Sequence, residues 1–231
     1  MTVNTASVAN AEAGAIPRTD QLKLTEIFYS IQGESRTFGK PTVFIRLTGC
    51  PLRCTYCDTA YAFHGGEWFT FDAIMAEVDQ YNAGCVTVTG GEPLAQKRCV
   101  QLLKKLCDAG YQVSLETSGA LDISEVDPRV SRVLDLKTPA SGESHRNLWS
   151  NLEQMTVHDQ LKFVICNRGD YDWARSILKA NPLPEGLEVL LSPSYEEQNL
   201  TTLAEWILED RLNVRLQPQL HKILWGDEQG K

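Results

Sequence analysis

No apolar run in the 231-residue chain approaches the roughly 20 residues that a bilayer-spanning helix needs, so a membrane partner is not expected. Basic residues are also scarce. The 22 Lys and Arg against 30 Asp and Glu leave a net charge of −8, with no surplus to displace counterions from a nucleic-acid backbone. The first twenty residues are rich in Ala, Asn and Thr, and lack the basic stretch and apolar segment of a secretory signal. They read as a flexible N-terminal arm, residues 1–20, ahead of a single domain over 21–231. Seven cysteines is an odd number, which suits free thiols in a reducing, cytoplasmic setting better than a disulfide framework. There is no internal repeat, and His64, His145 and His158 show no metal-ligand spacing. What remains is an ordinary globular composition, 42% hydrophobic and 23% charged.

From Leu22 onward, short β-rich runs alternate with amphipathic stretches. Strands are expected over 23–28, 42–47, 85–89, 113–117, 133–136, 161–165, 188–191 and 214–216. Several read as continuous apolar runs, the pattern of parallel strands covered on both faces. Helical stripes are formed by Phe71, Ile74, Met75 and Val78, by Cys99, Leu102, Leu103 and Leu106, and by Leu200, Leu203, Ala204, Ile207 and Leu208. Asp170 and Asn199 are expected to cap the last two helices. Repeated strand–helix units imply a mostly parallel sheet. With fewer clear helices than strands, the expected architecture is α/β, a partial (incomplete) TIM-like barrel rather than a closed one. Ligands then gather at the C-terminal strand ends.

The decisive segment is Gly49-Cys50-Pro51-Leu52-Arg53-Cys54-Thr55-Tyr56-Cys57-Asp58-Thr59. Three cysteines spaced C-x3-C-x2-C directly follow an apolar strand, so their thiolates can converge on one soft metal centre. Structural zinc sites and ordinary iron–sulfur clusters take four protein ligands, and no fourth cysteine is nearby. An incompletely ligated iron–sulfur cluster would keep one iron open to an exogenous ligand. A zinc site completed by His64 is the alternative, and buried thiols are another. Cys85, Cys99, Cys107 and Cys166, on strand or helix positions, read as core thiols. A second segment, Val86-Thr87-Val88-Thr89-Gly90-Gly91-Glu92-Pro93, runs from a strand into a Gly-Gly-Glu-Pro turn. There the backbone can approach a ligand closely, and Glu92 and nearby carbonyls can accept from an ammonium group. Taken by itself, this is equally a plain strand-to-helix turn.

The cysteine spacing, with Tyr56 before the last cysteine, resembles the signature of radical S-adenosylmethionine (SAM) enzymes, and the Gly-Gly-Glu-Pro turn resembles their SAM-binding element. The resemblance implies a radical SAM core. Its [4Fe–4S] cluster is held by Cys50, Cys54 and Cys57, its open iron is chelated by SAM, and reductive cleavage gives a 5′-deoxyadenosyl radical. Further segments narrow it. Glu26-Ile27-Phe28-Tyr29-Ser30-Ile31-Gln32-Gly33-Glu34, Phe44-Ile45-Arg46-Leu47, Cys57-Asp58-Thr59, Glu116-Thr117-Ser118-Gly119 and Gln219-Leu220-His221-Lys222 are similar to the 7-carboxy-7-deazaguanine synthase family. That family is a carbon–nitrogen lyase of 7-deazapurine (queuosine) biosynthesis. It converts 6-carboxy-5,6,7,8-tetrahydropterin to 7-carboxy-7-deazaguanine with loss of ammonia, uses Mg²⁺ and forms homodimers. A flavodoxin-like or similar protein is the expected electron donor.

The resemblance also implies roles for residues. For SAM they are Tyr56, Cys57, Asp58, Gly91, Asp135, Leu136, Lys137, Ser192, Pro193, Ser194 and Tyr195. For the pterin they are Ile31, Gln32, Gly33, Glu34, Arg46, Thr89, Gln219 and His221, and for Mg²⁺ it is Thr59. The residue chemistry suits these roles. Arg46 at a strand end offers a fork for a carboxylate, although a surface ion pair is its plain alternative. Asp58 and Thr59 offer hard oxygen. No side chain is assigned as catalytic beyond the cluster and SAM. The chain departs from the family pattern at Ser35, where many relatives have glycine, and at Asp135-Leu136-Lys137, in place of Ser-Pro-Lys. It also runs on past His221 to Lys231. Two rival functions are an activase of a glycyl-radical enzyme and, in another class, a zinc-binding interaction module.

Overall fold

The computed structural model describes residues 20–230. The arm expected over 1–20 therefore lies, except for Asp20, outside the described residues. The elements run β1 (Gln21–Ile31), β2 (Pro41–Leu47), β3 (Glu67–Thr70), α1 (Phe71–Gln80), β4 (Cys85–Gly90), α2 (Cys99–Asp108), β5 (Gln112–Thr117), β6 (Ser131–Asp135) and β7 (Gln160–Ile165). They continue with α3 (Arg168–Ala180), β8 (Glu188–Pro193), α4 (Leu200–Glu209), β9 (Arg215–Leu216) and α5 (Leu220–Trp225). The strands form one sheet in the order β3-β1-β2-β4-β5-β6-β7-β8-β9. β1 is antiparallel to β2 and β3, and every pairing from β2 through β9 is parallel. β3 and β9 stand at opposite edges, so the curved sheet is an unclosed barrel. Helices are absent from the β5–β6 and β6–β7 crossovers, which use loops and short 3₁₀ turns. That is why the sequence shows fewer helices than strands. β3 and α5 are two elements the periodicity did not reveal; both are short.

The expectation of strands that are apolar on both faces is corrected by the structure. Successive side chains of a strand point to opposite faces, and here the two faces differ in chemistry. Val43, Ile45 and Leu47, Val86 and Val88, Val113 and Leu115, and Leu161, Phe163 and Ile165 form one buried core with Ile74, Val78, Leu102, Leu106, Tyr171 and Leu203 of the helices. The alternate positions form the concave face. Deep in it, Gln32 Nε2 donates to Thr87 Oγ1 (3.0 Å), and Thr87 Oγ1 pairs with Ser114 Oγ (2.8 Å). Polar groups buried in pairs carry no net desolvation penalty of the unpaired kind, so this face can be both polar and closed at its base. Arg46, Thr89, Glu116 and Asp135 lie higher on the same face, toward the strand ends, and Phe44, level with Thr87, and Lys162, level with Asp135, share the cavity with them.

Local signals explain the helix starts. Thr70 Oγ1 accepts from Ala73 N (3.2 Å) at α1, and Asn199 Oδ1 accepts from Thr202 N (3.0 Å) at α4, as expected of Asn199. Asp170 is not the cap of α3, because Asn167 is, accepting from Asp170 N at 3.1 Å. The Asp170 carboxylate reaches back from the first turn to Cys166 N (3.1 Å) and across to Ala140 N (2.9 Å). It thereby ties the turn at Pro139–Ser141 to the helix. Of the cysteines read as core thiols, Cys85 and Cys99 are buried, whereas Cys107 and Cys166 are only half-buried. Among the described residues no helix is long and apolar enough to cross a membrane.

Candidate active site

A cavity of about 370 Å³ opens at the C-terminal ends of the parallel strands. It brings together Cys50, Cys54 and Cys57 with nearly all the residues singled out in the sequence: Tyr56, Asp58, Thr59, Gly91, Asp135, Lys137, Ser194 and Tyr195 on the one hand, and Ile31, Gln32, Gly33, Glu34, Arg46, Thr89, Gln219 and His221 on the other. Three do not line it. Leu136 is fully buried, and Ser192 and Pro193 end β8 below it.

The cysteine loop is anchored from two sides. Gly91 N donates to Leu47 O (3.1 Å) and Glu92 N to Gly49 O (2.8 Å), joining it to the Gly-Gly-Glu-Pro turn. From the other side, Thr55 N donates to Ser141 O (3.1 Å) and Arg53 N to the Glu143 carboxylate (2.6 Å). The Arg53 guanidinium closes the loop on itself, donating to the Cys50 and Leu52 carbonyls and stacking on Phe63 at 4.2 Å. Glu92 does not offer an acceptor to a ligand. Wholly buried, it accepts from Thr117 Oγ1, Ser118 N, Ser118 Oγ and Leu94 N, and fastens β4 to β5. Burial raises all three thiol pKa values, that of Cys54 to about 11 with Lys137 opposing and Asp135 adding. Binding a soft cation must therefore displace their protons.

Beside the cysteines, Lys137 Nζ pairs with Asp135 Oδ2 (3.0 Å) and lies 5.8 Å from the Tyr56 ring. Asp135 Oδ1 and the Tyr56 hydroxyl are buried without a protein partner. Across the cavity, Arg46 Nε binds Glu26 Oε1 at 2.6 Å, Tyr61 donates to the same oxygen at 2.8 Å, and the guanidinium lies over the Phe28 and Tyr61 rings. Lys162 is ion-paired with Glu34, which also accepts from Gln219 Nε2 at 2.8 Å. Burial pushes the Glu34 carboxyl up, but Lys162, His221 and Gln219 bring it below its ordinary value. Glu116 is raised, by burial first and then by Glu34. Burial lowers His221, whose backbone leaves no room for a side chain at Gly33: a Cβ there would stand 2.9 Å from His221 N. Residues 227–230 of the C-terminal tail also line the cavity, with Lys222 Nζ bound to Asp227 (2.5 Å).

Residues 44–136 match the Radical SAM superfamily. The 7-carboxy-7-deazaguanine synthase of Chlorobaculum tepidum is 42% identical, over 90% of this chain and 96% of its own. That of Koribacter versatilis is 41% identical over 90% and 98%. The chain belongs to the 7-carboxy-7-deazaguanine synthase family. The crystal structure of QueE from Escherichia coli shares the fold, with a TM-score of 0.73, 24% identity, and 87% and 95% of the two chains covered.

A radical SAM enzyme of this family uses a [4Fe–4S] cluster and SAM, and the residues present fit both. Three free, half-buried thiols share one cavity wall, and two buried oxygens, on Tyr56 and Asp135, await partners next to them. A four-ligand zinc site, the alternative, would need His64 as its fourth ligand beside the three thiols. His64 does not line the cavity. For Mg²⁺, Thr59 Oγ1 donates to Asp58 Oδ1 at 2.6 Å. Burial pushes the Asp58 carboxyl up, yet that hydrogen bond with Lys222, Lys162 and His221 holds it below the ordinary range. A hard cation would find ionised oxygen there.

Sequence reasoning gave no role to Glu26, Tyr61, Glu116, Lys162 or the tail. A signal existed for two of them. Lys162 breaks the apolar run of Gln160–Ile165, and Glu116 stands next to last in Gln112–Thr117, each on the concave-facing alternation.

Proposed function

We propose that the chain is a radical SAM carbon–nitrogen lyase that converts 6-carboxy-5,6,7,8-tetrahydropterin to 7-carboxy-7-deazaguanine with loss of ammonia. One observation carries the reading: the three cysteines, the Arg46 guanidinium and the Glu34 carboxylate face a single cavity sized for a small molecule. A [4Fe–4S] cluster carrying SAM supplies, when bound, the radical chemistry that no side chain here can perform. The protein's own work is to bind, orient and exclude water. Cys50, Cys54 and Cys57 would hold the cluster, and Tyr56, Gly91, Asp135, Lys137, Ser194 and Tyr195 would surround SAM. Arg46, preset by Glu26, would grip the pterin carboxylate, a charge-assisted contact stronger than a neutral one. Ionised Glu34 would accept from the donor edge of the ring, with Thr89, Gln219 and His221 around it. Thr59, with Asp58, would hold Mg²⁺.

The reading includes a homodimer, a flavodoxin-like or similar electron donor and a cytoplasmic setting, without nucleic-acid or membrane partners. The acidic net charge of −8 supports the absence of nucleic acid. A glycyl-radical activase needs a mouth that admits a protein segment. The tail residues 227–230 along the cavity favour a small substrate instead.

The test is anaerobic reconstitution with iron and sulfide, reduction, and incubation with SAM, Mg²⁺ and the carboxypterin. The deazapurine should appear by mass, and Cys54→Ala should abolish both the iron chromophore and the product. A reconstituted, SAM-cleaving protein that leaves the carboxypterin intact would overturn the reading.

A further inference from the structure

Lys162 lines the cavity in a position that neither the fold nor the proposed roles explain. It sits mid-strand on β7, its side chain almost wholly out of water, where a lysine is costly to bury unless paired. Its ammonium is ion-paired with Glu34, from the loop after β1. It also faces Asp135 on the neighbouring strand β6 and Glu116 on β5. These carboxyls are not equally supplied with counter-charge. Asp135 has Lys137 at 3.0 Å. Glu116 accepts from Thr89 Oγ1 (3.2 Å) and has Arg46 in its surroundings, but Arg46 is bound to Glu26. Glu34 has Gln219, a neutral donor, and His221, which burial inclines to the neutral form. The charge on Glu34 therefore depends on Lys162. Without that ammonium, Glu34 and Glu116, two buried carboxyls of one cavity, would repel each other when both are ionised, and each would hold its proton more readily.

We propose that Lys162 is a positioning residue for the substrate: its ammonium fixes Glu34 as an ionised, aimed acceptor for the donor edge of the pterin. The inference rests on the function proposed above, and it adds a residue that acts through another. Burial pushes both carboxyls up, but Lys162 brings Glu34 below its ordinary value, whereas Glu116, with Glu34 adding to its burial, stands above it. Pairs of titratable groups pushed apart by their surroundings are the usual mark of divided labour in a site.

The test is equilibrium binding of the carboxypterin to the oxidised holoenzyme with SAM present, which does not turn over, measured between pH 5.5 and 8.5 for the wild type, Lys162→Met and Lys162→Arg. Wild-type affinity should stay flat with pH. Lys162→Met should bind about tenfold more weakly at neutral pH, the scale of one lost charge-assisted hydrogen bond. Its affinity should fall further as pH drops, because Glu34 then takes up a proton and ceases to accept. Lys162→Arg should restore the flat profile. Iron content and SAM binding should match the wild type in both. Should Lys162→Met fail to fold, Lys162→Met/Glu34→Gln removes both charges together; its binding should be weak and independent of pH. Unchanged affinity and a flat profile in Lys162→Met would overturn the role of Lys162, as would wild-type affinity in the double variant. Failure of the wild type itself to bind the carboxypterin would overturn the function proposed above instead.

Discussion

The Cα of Gly91 lies directly against the cysteine loop: a Cβ placed there would stand 2.7 Å from the Cys50 Cβ and closer still to the Gly49 carbonyl oxygen. Real side chains do not approach so closely, so the Gly-Gly-Glu-Pro turn and the first cluster ligand are packed as one piece. Gly91 is needed for this approach rather than for an unusual φ.

Gly91→Ala should therefore push the cysteine loop away from its partner hydrogen bonds while leaving the sheet intact. Overpacking of this kind costs about 1–3 kcal/mol. Iron and sulfide content after reconstitution should fall well below the wild-type value, with only a modest loss of thermal stability. Full iron content in Gly91→Ala would show that the loop can relax without losing its ligand geometry.

Arg46 tests the other end of the cavity. Its Nε is bound to Glu26, which also receives the Tyr61 hydroxyl, so the guanidinium is held before any ligand arrives. Arg46→Ala should spare the cluster and weaken carboxypterin binding at least tenfold, the scale of a charged hydrogen bond. Glu26→Gln should have a smaller effect in the same direction, because it loosens the fork without removing it. Binding measured on reconstituted, unreduced protein separates the two. An unaltered affinity in Arg46→Ala would exclude the carboxylate clamp.

Much of this site was legible in the sequence because it is carried by short, contiguous segments. Cys50 to Thr59 follows β2 and Gly91 to Glu92 follows β4, and strand ends converge in a parallel sheet whatever the details of packing. What was not legible depends on alternation across distant strands. The pairing of Lys162 with Glu34 spans 128 positions. It needs the register that sets Asp135 beside Lys162 and the loop after β1 folded over them. The apolar reading of the strands failed for the same reason: Thr87, Thr89, Ser114 and Glu116 punctuate runs that looked continuous, and they mark the concave face. Glu92 was misread because its four donors come from its own turn and from β5, and only the three-dimensional structure shows that they are enough to satisfy it.

Ser35 occupies a position shaped for glycine. Its φ is +64°, and its hydroxyl is buried without a partner. Left-handed backbone costs a non-glycine residue about 1 kcal/mol, and an unsatisfied buried hydroxyl adds to that. Ser35→Gly should raise the midpoint of thermal unfolding by about 2–4 °C, partly offset by the greater chain entropy of glycine when unfolded. A lowered midpoint would show that the Ser35 hydroxyl has a ligand or water to bind.

Acid should expose a second buried pair, remote from the cavity mouth. Arg132 donates twice to Asp159, at 2.6 and 2.9 Å, and the carboxylate also accepts from Arg132 N and Thr156 N. Burial pushes the Asp159 carboxyl up, but these four donors outweigh it and hold the group below its ordinary value. A carboxyl lowered in the folded state contributes stability that is complete above its unfolded pKa, about 3.9, and is lost as pH falls through the folded value. Asp159→Asn leaves Arg132 buried without its counter-charge, a loss of about 3–5 kcal/mol near neutral pH. The stability gap between wild type and variant should thus be widest at pH 6–7 and narrow steadily below pH 4. Urea titrations at pH 6.5, 4.5 and 3.5 measure it, and a gap that stayed constant to pH 3.5 would mean that Asp159 titrates alike in the folded and unfolded chains.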